Sequence, residues 1–333
     1  RIPGHADKII CRLLLITGKG KSKSVRLSKG GQNILEIVNP NAALYYAQNY
    51  LRHNHAGEAK RLDRFHRVAE SAALIKLAGF ETCPYMLPQL QMVTIRKVVT
   101  DAPSFYISKE LKYVGDDDVN KTSFSRITGA LFYPGGCYAV YNSRDYLMNW
   151  NGRGEAKVRL HLTEIARMNA AVDDVQSGIL LGVGYEIAEI TLRTLWRSKR
   201  AETEFNVIYD HLHFVPMNAF GVRLLKILTT PDWNETLLDL LFDLDDRSYG
   251  KGVFEYDARE NGIYLFSFLD SDITRLNHFI DGVKGIERET AVICFPEQTA
   301  FVRNVVGPKV SIKTVTMDTV EDALCPKGGD ADE

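Results

Sequence analysis

Cysteine is scarce in this chain. Five cysteines are spread over 333 residues, at Cys11, Cys83, Cys137, Cys294 and Cys325. Their number is odd, their spacings are wide and no C-x-x-C occurs, which argues against a disulfide framework and a zinc site. A reducing, cytoplasmic setting is expected from this usage. Long apolar runs are missing as well. No stretch approaches the ~18–20 apolar residues of a membrane span. The run from Ile9 to Ile16 is broken by Arg12, so it reads as a strand or helix segment rather than a leader. There is no G-x-S-x-G elbow, and no repeat of fixed period stands out.

Net charge is also nearly absent, at −1, but its distribution is uneven. Residues 1–85 carry fourteen Lys or Arg against six Asp or Glu, a surplus of eight positive charges. The remainder carries 27 basic against 36 acidic residues, a surplus of nine negative charges. A basic front on an acidic body points to a polyanion as partner, with mutual attraction of the two parts as the plainer alternative.

The basic front is densest in RLLLITGKGKSKSVRLSKGG, residues 12–31. A phosphate-gripping P-loop needs G-x-x-x-x-G-K-[ST] between a strand and a helix. Gly20-Lys21-Ser22 supplies its end, but Leu15 stands where the first glycine belongs, and SVRL reads as a strand. Backbone amides cannot converge on phosphate in that arrangement, so the P-loop is excluded. What remains is a hairpin, with strands at 8–16 and 24–27, whose tip carries Lys19, Lys21 and Lys23. Such a tip suits contact with DNA phosphates, which would position the protein without choosing a sequence. Arg26 and Lys29 flank it.

Ser28 is a candidate N-cap for a helix that Asn39-Pro40 ends. GEAKRLDRFHRVAESAALIKLA (57–78) has a helical stripe of Leu62, Phe65, Ala69, Ala72 and Ile75, flanked by Lys60, Arg61, Arg64 and Arg67, with Gly79 as C-cap. ITGALFY-PGG-CYAVYN reads as a hairpin. Helix, strand, helix and strand follow in GEAKVRLHLTEIARMNAAV, SGILLG, YEIAEITLRTLW and VIYDHLHFVP. The same alternation returns in GIYLFSFL, DSDITRLNHFIDGV, TAVICFP, PEQTAFVRNVV and KVSIKTVTM, and implies a mostly parallel, helix-covered sheet. The tail from Pro326 is polar and reads as frayed.

A strand, a basic turn, VRLSKGGQNIL and then a helix with RLDRFHRVAE resemble the end of a winged helix-turn-helix in replication-relaxation-type proteins of Gram-positive plasmids and integrative elements. The family's L-T-x-x-G step is matched by Leu27-Ser28-Lys29-Gly30, with Ser for Thr and one spacer fewer, and its helix histidine by His66. The resemblance implies α/β architecture, with a winged-helix-like basic region (1–82), completed by helices ahead of the wing that this sequence nearly lacks. A restriction-nuclease-like domain (83–248) follows, then a C-terminal βαβαβ unit (249–325) and a flexible tail (326–333), the body having mixed or mostly parallel sheets. In such a nuclease domain carboxylates on the hairpin would hold a divalent metal. Thr128, Val140 and Asn142 stand in their places. Glu155-Ala156-Lys157, ten residues after Asp145, mimics E-x-K, but GEAK opens a helix, so Glu155 reads as a first-turn carboxylate favoured by the helix dipole. The expectation is therefore a non-catalytic DNA-binding accessory protein of a plasmid or mobile element, with a metal-dependent nuclease or a protein-interaction scaffold as alternatives. Lys19, Lys21, Lys23, Arg26, Lys29, Arg61, Arg64 and Arg67 would contact DNA. No metal, small-molecule cofactor or membrane is expected, and a homodimer is left open.

Other constellations are weaker. Gly182-Val183-Gly184 follows a strand and precedes a helix, but Ile187 occupies the third small position of a dinucleotide fingerprint. His53, His55 and His66 lack cysteine neighbours and read as a basic, solvated surface. His211 and His213 alternate on a strand and so share one face, where they are either catalytic or simply packed. Asp243, Asp245 and Asp246 resemble a calcium loop until Arg247 takes the next ligand position. Tyr133, Tyr138, Tyr141, Tyr146 and Trp150 cluster at the hairpin, either stacking unpaired bases or, as the stronger reading, filling an interface.

Overall fold

A computed structural model describes residues 12–17, 24–48, 59–82, 102–108, 111, 125–150, 152–170, 172–197, 205–250 and 254–325. Strands β1 (Leu14–Thr17) and β2 (Ser24–Leu27) pair antiparallel, Leu14 opposite Leu27 and Thr17 opposite Ser24. The hairpin expected around the lysine loop therefore forms, and its tip, with Lys19, Lys21 and Lys23, lies outside the described residues. Ser28 caps helix α1 (Lys29–Val38) by accepting from the Gly31 amide at 3.1 Å. Asn39 ends α1 and caps α2 (Pro40–Tyr46), with Pro40 in the first helical position where its missing N–H costs nothing.

Helix α3 (Ala59–Leu77) leads into a six-stranded mixed sheet. In spatial order it runs β3 (Glu81–Thr82), β4 (Ser104–Ile107), β5 (Gly129–Tyr133), β6 (Gly136–Arg144), β7 (Ser177–Gly182) and β8 (His211–Pro216). The β5–β6 hairpin turns at Gly135, whose φ of +88° suits glycine alone. Strands β6, β7 and β8 are parallel, and their connections carry α4 (Gly152–Ala170), α5 (Tyr185–Arg197) and the short α6 (Phe205–Ile208).

Helices α7 (Ala219–Leu228) and α8 (Trp233–Leu241) lead to a second, five-stranded sheet. Its order is β13 (Ser311–Thr314), β12 (Thr290–Cys294), β11 (Ile263–Ser267), β10 (Tyr256–Glu260) and β9 (Arg247–Gly250). The first three are parallel, and β10 and β9 are antiparallel additions. Helices α9 (Ile273–Val283), α10 (Thr299–Val306) and α11 (Met317–Leu324) complete the unit. The class is thus α/β with mixed sheets.

Both sheet faces are covered, as parallel strands require. On one face Leu74 and Ile75 of α3 and Leu224 and Leu228 of α7 pack on Val140, Ile179, Leu181 and Val215. On the other, Val158 and Leu162 of α4 and Leu192 of α5 share a cluster with Phe214, Phe266, Phe279 and Val302. That cluster crosses the boundary expected at residue 248. The sheets also meet directly: His213 bridges Asp272 antiparallel, and the Phe214 amide donates to the Ser271 carbonyl at 2.9 Å.

Three local expectations shift. The buried side of α3 is Ser71, Leu74 and Ile75, continued by Ala78 just after it, while Phe65 is exposed and Ala69 faces solvent. KVSIKTVTM stops as a strand at Thr314, and Met317 starts a helix. Helices α7 and α8 and strands β9 and β10 had no counterpart in the sequence reading. Among the described residues, no helix is long and apolar enough to cross a membrane.

Candidate functional site

The expected DNA-contacting residues separate into three groups. Arg26 and Lys29 are exposed, on β2 and at the start of α1. Lys19, Lys21 and Lys23, and the side chain of Arg61, lie outside the described residues. Arg64 and Arg67 turn inward onto the sheet. The Arg64 guanidinium donates to the carbonyls of Ser125 (3.1 Å) and Ile127 (3.3 Å) and to Ser108 Oγ (3.4 Å). Arg67 donates to the Asn142 carbonyl at 2.5 Å and to Asp63 at 2.7 Å. Arginine stems cross apolar surface readily and let the head find buried acceptors, so these two side chains tie α3 to β6 and its neighbours.

The nuclease-like positions are also structural. Thr128 Oγ1 donates to the Val140 carbonyl at 2.9 Å, and Asn142 Nδ2 donates to the Arg67 carbonyl at 3.0 Å. Glu155 is fully buried, one oxygen accepting from the Arg126 amide at 2.7 Å and the other from Tyr141 at 2.9 Å. Burial pushes its carboxyl up, against those two hydrogen bonds. Tyr141 in turn meets Tyr209 at 2.7 Å between hydroxyls. The hairpin aromatics Tyr138, Tyr141 and Trp150 are interior, and Tyr146 is exposed.

Chemistry gathers elsewhere. Tyr138, Ser177 and His211 are register neighbours across β6, β7 and β8, so they share a face. That face, the α7–α8 turn, strands β9 and β10 and the first turns of α9 enclose a cavity of about 1180 Å³.

Two histidines in its wall are each oriented by a carboxylate. His211 Nδ1 lies 2.7 Å from Asp272 Oδ2, and His278 Nδ1 lies 2.9 Å from Glu255 Oε1. His211 is 42% exposed, whereas Asp272 is wholly buried. Asp272 is held by more than the histidine: its Oδ1 accepts from the amides of Leu212 (3.1 Å), Thr274 (2.9 Å) and Arg275 (3.2 Å), making it the N-cap of α9. Burial alone would raise its pKa, but the His211 hydrogen bond and the nearby His213 and Arg275 hold it well below the usual carboxylate range. The same hydrogen bond raises His211, outweighing burial. The Glu255 hydrogen bond raises His278 in the same way.

Asp270 differs. Burial, reinforced by the Asp272 charge, pushes its carboxyl up. Ser271 between them has φ of +55°, a strained conformation for a residue other than glycine. Its Oγ is clamped by Tyr185 OH at 2.7 Å and Gln298 Nε2 at 2.6 Å, which holds the turn and sends the two aspartates to different neighbours. Arg275 sits among three carboxylates, Asp257 (2.5 Å), Glu255 (3.2 Å) and Asp270 (3.8 Å). His213 Nδ1 lies 2.9 Å from the Asp270 carbonyl, which fixes that nitrogen as the protonated one.

Comparison of the chain with protein-family models, curated proteins and solved structures returns no match. Among the described residues, no group of three or more His, Cys, Asp or Glu side chains has the arrangement to hold a metal ion. With Nδ1 committed, His211 and His278 each have Nε2 left for proton transfer, the chemistry that carboxylate-oriented histidines perform.

Sequence reading put His211 and His213 on one face but did not supply the carboxylate, which lies 61 residues on. It missed Glu255, Asp257, Arg275 and His278. One signal was present: Arg275 and His278 are three apart on DITRLNH, hence on one helix face.

Proposed function

We propose that the protein is an enzyme using general acid–base catalysis on a small molecule bound in this cavity. The observation that carries the reading is the His211–Asp272 pair, in which a buried carboxylate orients a histidine that opens onto the cavity. His211 would take or give the proton, Asp272 would position it, and His278 with Glu255 would provide a second pair. Ser177, the register partner of His211 on β7, places a hydroxyl-bearing residue beside it in the wall. The test is turnover of a panel of model esters, amides and glycosides. His211→Gln should abolish any turnover found, and Asp272→Asn should lower kcat by about 10²–10⁴-fold, the range of general acid–base contributions. Absence of turnover across the panel, or turnover indifferent to His211→Gln, removes the reading.

A second reading rests on the N-terminal hairpin, where the exposed Arg26 and Lys29 flank the lysine-bearing tip. Under it the protein is a non-catalytic DNA-binding accessory protein of a plasmid or mobile element, gripping phosphates from the hairpin. Replacing Lys19, Lys21 and Lys23 together by Ala should weaken binding to any duplex and flatten the log–log salt slope by about one unit per lost contact. An unchanged slope rules it out.

A further inference from the structure

We propose that the cavity selects a cationic, nitrogen-bearing small molecule with a flat body, such as an amidine or aryl ammonium. This rests on reading the cavity as the protein's active site.

The first ground is charge. Among the described residues, Arg275 is the only lysine or arginine in the cavity wall, and Asp257, Glu255 and Asp270 already surround it. At the rim, the ion pairs of Asp210 and Glu235 among the described residues are long, 3.5 Å to Arg159 and 3.9 Å to Arg247. The Asp232 carboxylate is exposed and makes no ion pair or side-chain cap among the described residues. Six carboxylates stand in the wall against Arg275 and three histidines, and a recess with such a surplus of one sign of charge focuses its field and draws the opposite sign. Phosphate or carboxylate ligands would be repelled.

The second ground is shape and chemistry of the wall. Trp233, Tyr249 and Tyr256 bring aromatic surface to the same space, and Tyr133 stacks on Tyr138 at 4.9 Å between centroids. Aromatic faces with carboxylates beside them are how proteins hold organic cations.

The third ground is an unmet hydrogen bond. Thr274 is 1% exposed and lines the cavity, yet among the described residues its hydroxyl has no partner. Asn206 Oδ1, also in the wall, likewise has no partner among the described residues. Buried polar atoms are rarely left so, and an acceptor oxygen in a cavity is met by a ligand N–H.

Three probes of one shape separate the possibilities: benzamidine, benzamide and benzoate are cationic, neutral and anionic. Each would be titrated into the full-length protein and followed by calorimetry and by the Trp233 indole resonance. Benzamidine should bind about tenfold or more tighter than benzamide, as expected for a cation against aromatic faces and carboxylates, and benzoate should be weakest. Asp232→Asn, an exposed change that leaves the fold alone, should weaken benzamidine and spare benzamide. Equal binding of benzamidine and benzamide, preference for benzoate, or no response to any probe at millimolar concentration overturns the proposal. The acid–base reading fails separately, if His211 titrates in the same spectra like an ordinary histidine.

Discussion

Asp272 serves one side chain and three backbone amides at once, and its charge is the condition for all of them. The pH consequences have opposite signs for the two partners. His211 has a raised folded pKa, so its contribution to stability is full below about 6.5, the unfolded value, and is lost as pH climbs through the folded pKa. Asp272 is held low, so its contribution is full above about 3.9 and is lost as pH falls through its folded pKa. The melting temperature should therefore decline on the alkaline side in the wild type, and decline less in His211→Gln. An identical profile in both proteins would contradict the pair. Asp272→Ala should cost roughly 3–5 kcal/mol in urea denaturation, because it leaves a broken buried pair and an uncapped helix. At this scale the sequence was half legible. Alternation on a strand put two histidines on one face, but no local rule couples position 211 to 272.

Helix α3 illustrates what periodicity alone misses. An apolar stripe through Phe65 and Ala69 looks inward on paper, yet the helix is rotated so that Arg64, Arg67 and Ser71 meet the sheet. The acceptors there are the backbone carbonyls of residues 125, 127 and 142, and arginine reaches them as no apolar residue can. Arg64→Ala should cost about 2–3 kcal/mol, since it strands buried acceptors, and should be visible as a drop in the urea midpoint. Were either arginine instead a surface phosphate ligand, its removal would leave the midpoint within error. The Glu155–Tyr141–Tyr209 chain, from α4 through β6 to the residue after α6, is comparable. Glu155→Ala should destabilise by about 3 kcal/mol while leaving ligand response in the cavity intact. Elements with strong punctuation were readable: the Ser28 cap, the Asn39-Pro40 break and the Pro-Gly-Gly hairpin. Strands β9 and β10 were not, because RSYG and YDARE show neither alternation nor apolar enrichment, and β10 pairs on the edge of β11 while β9 pairs on β10.

For the whole molecule, the two sheets act as one body. Phe214 of the first and Phe266 and Phe279 of the second belong to a single buried cluster, and the 268–272 turn is hydrogen-bonded to β8. A single cooperative thermal transition is expected for residues 102–325; two resolved transitions, each mapped by limited proteolysis to one side of residue 248, would separate the sheets. Alternating strands and helices made the α/β class readable, but the joining of sheets through a turn between β11 and α9 depends on contacts no local pattern encodes. That joining also has a timing consequence. His211 leaves the ribosome some sixty residues before Asp272, so a nascent chain halted between them holds an unoriented imidazole. The oriented pair can form only once residue 272 has followed, so the geometry proposed for proton transfer is a late product of synthesis.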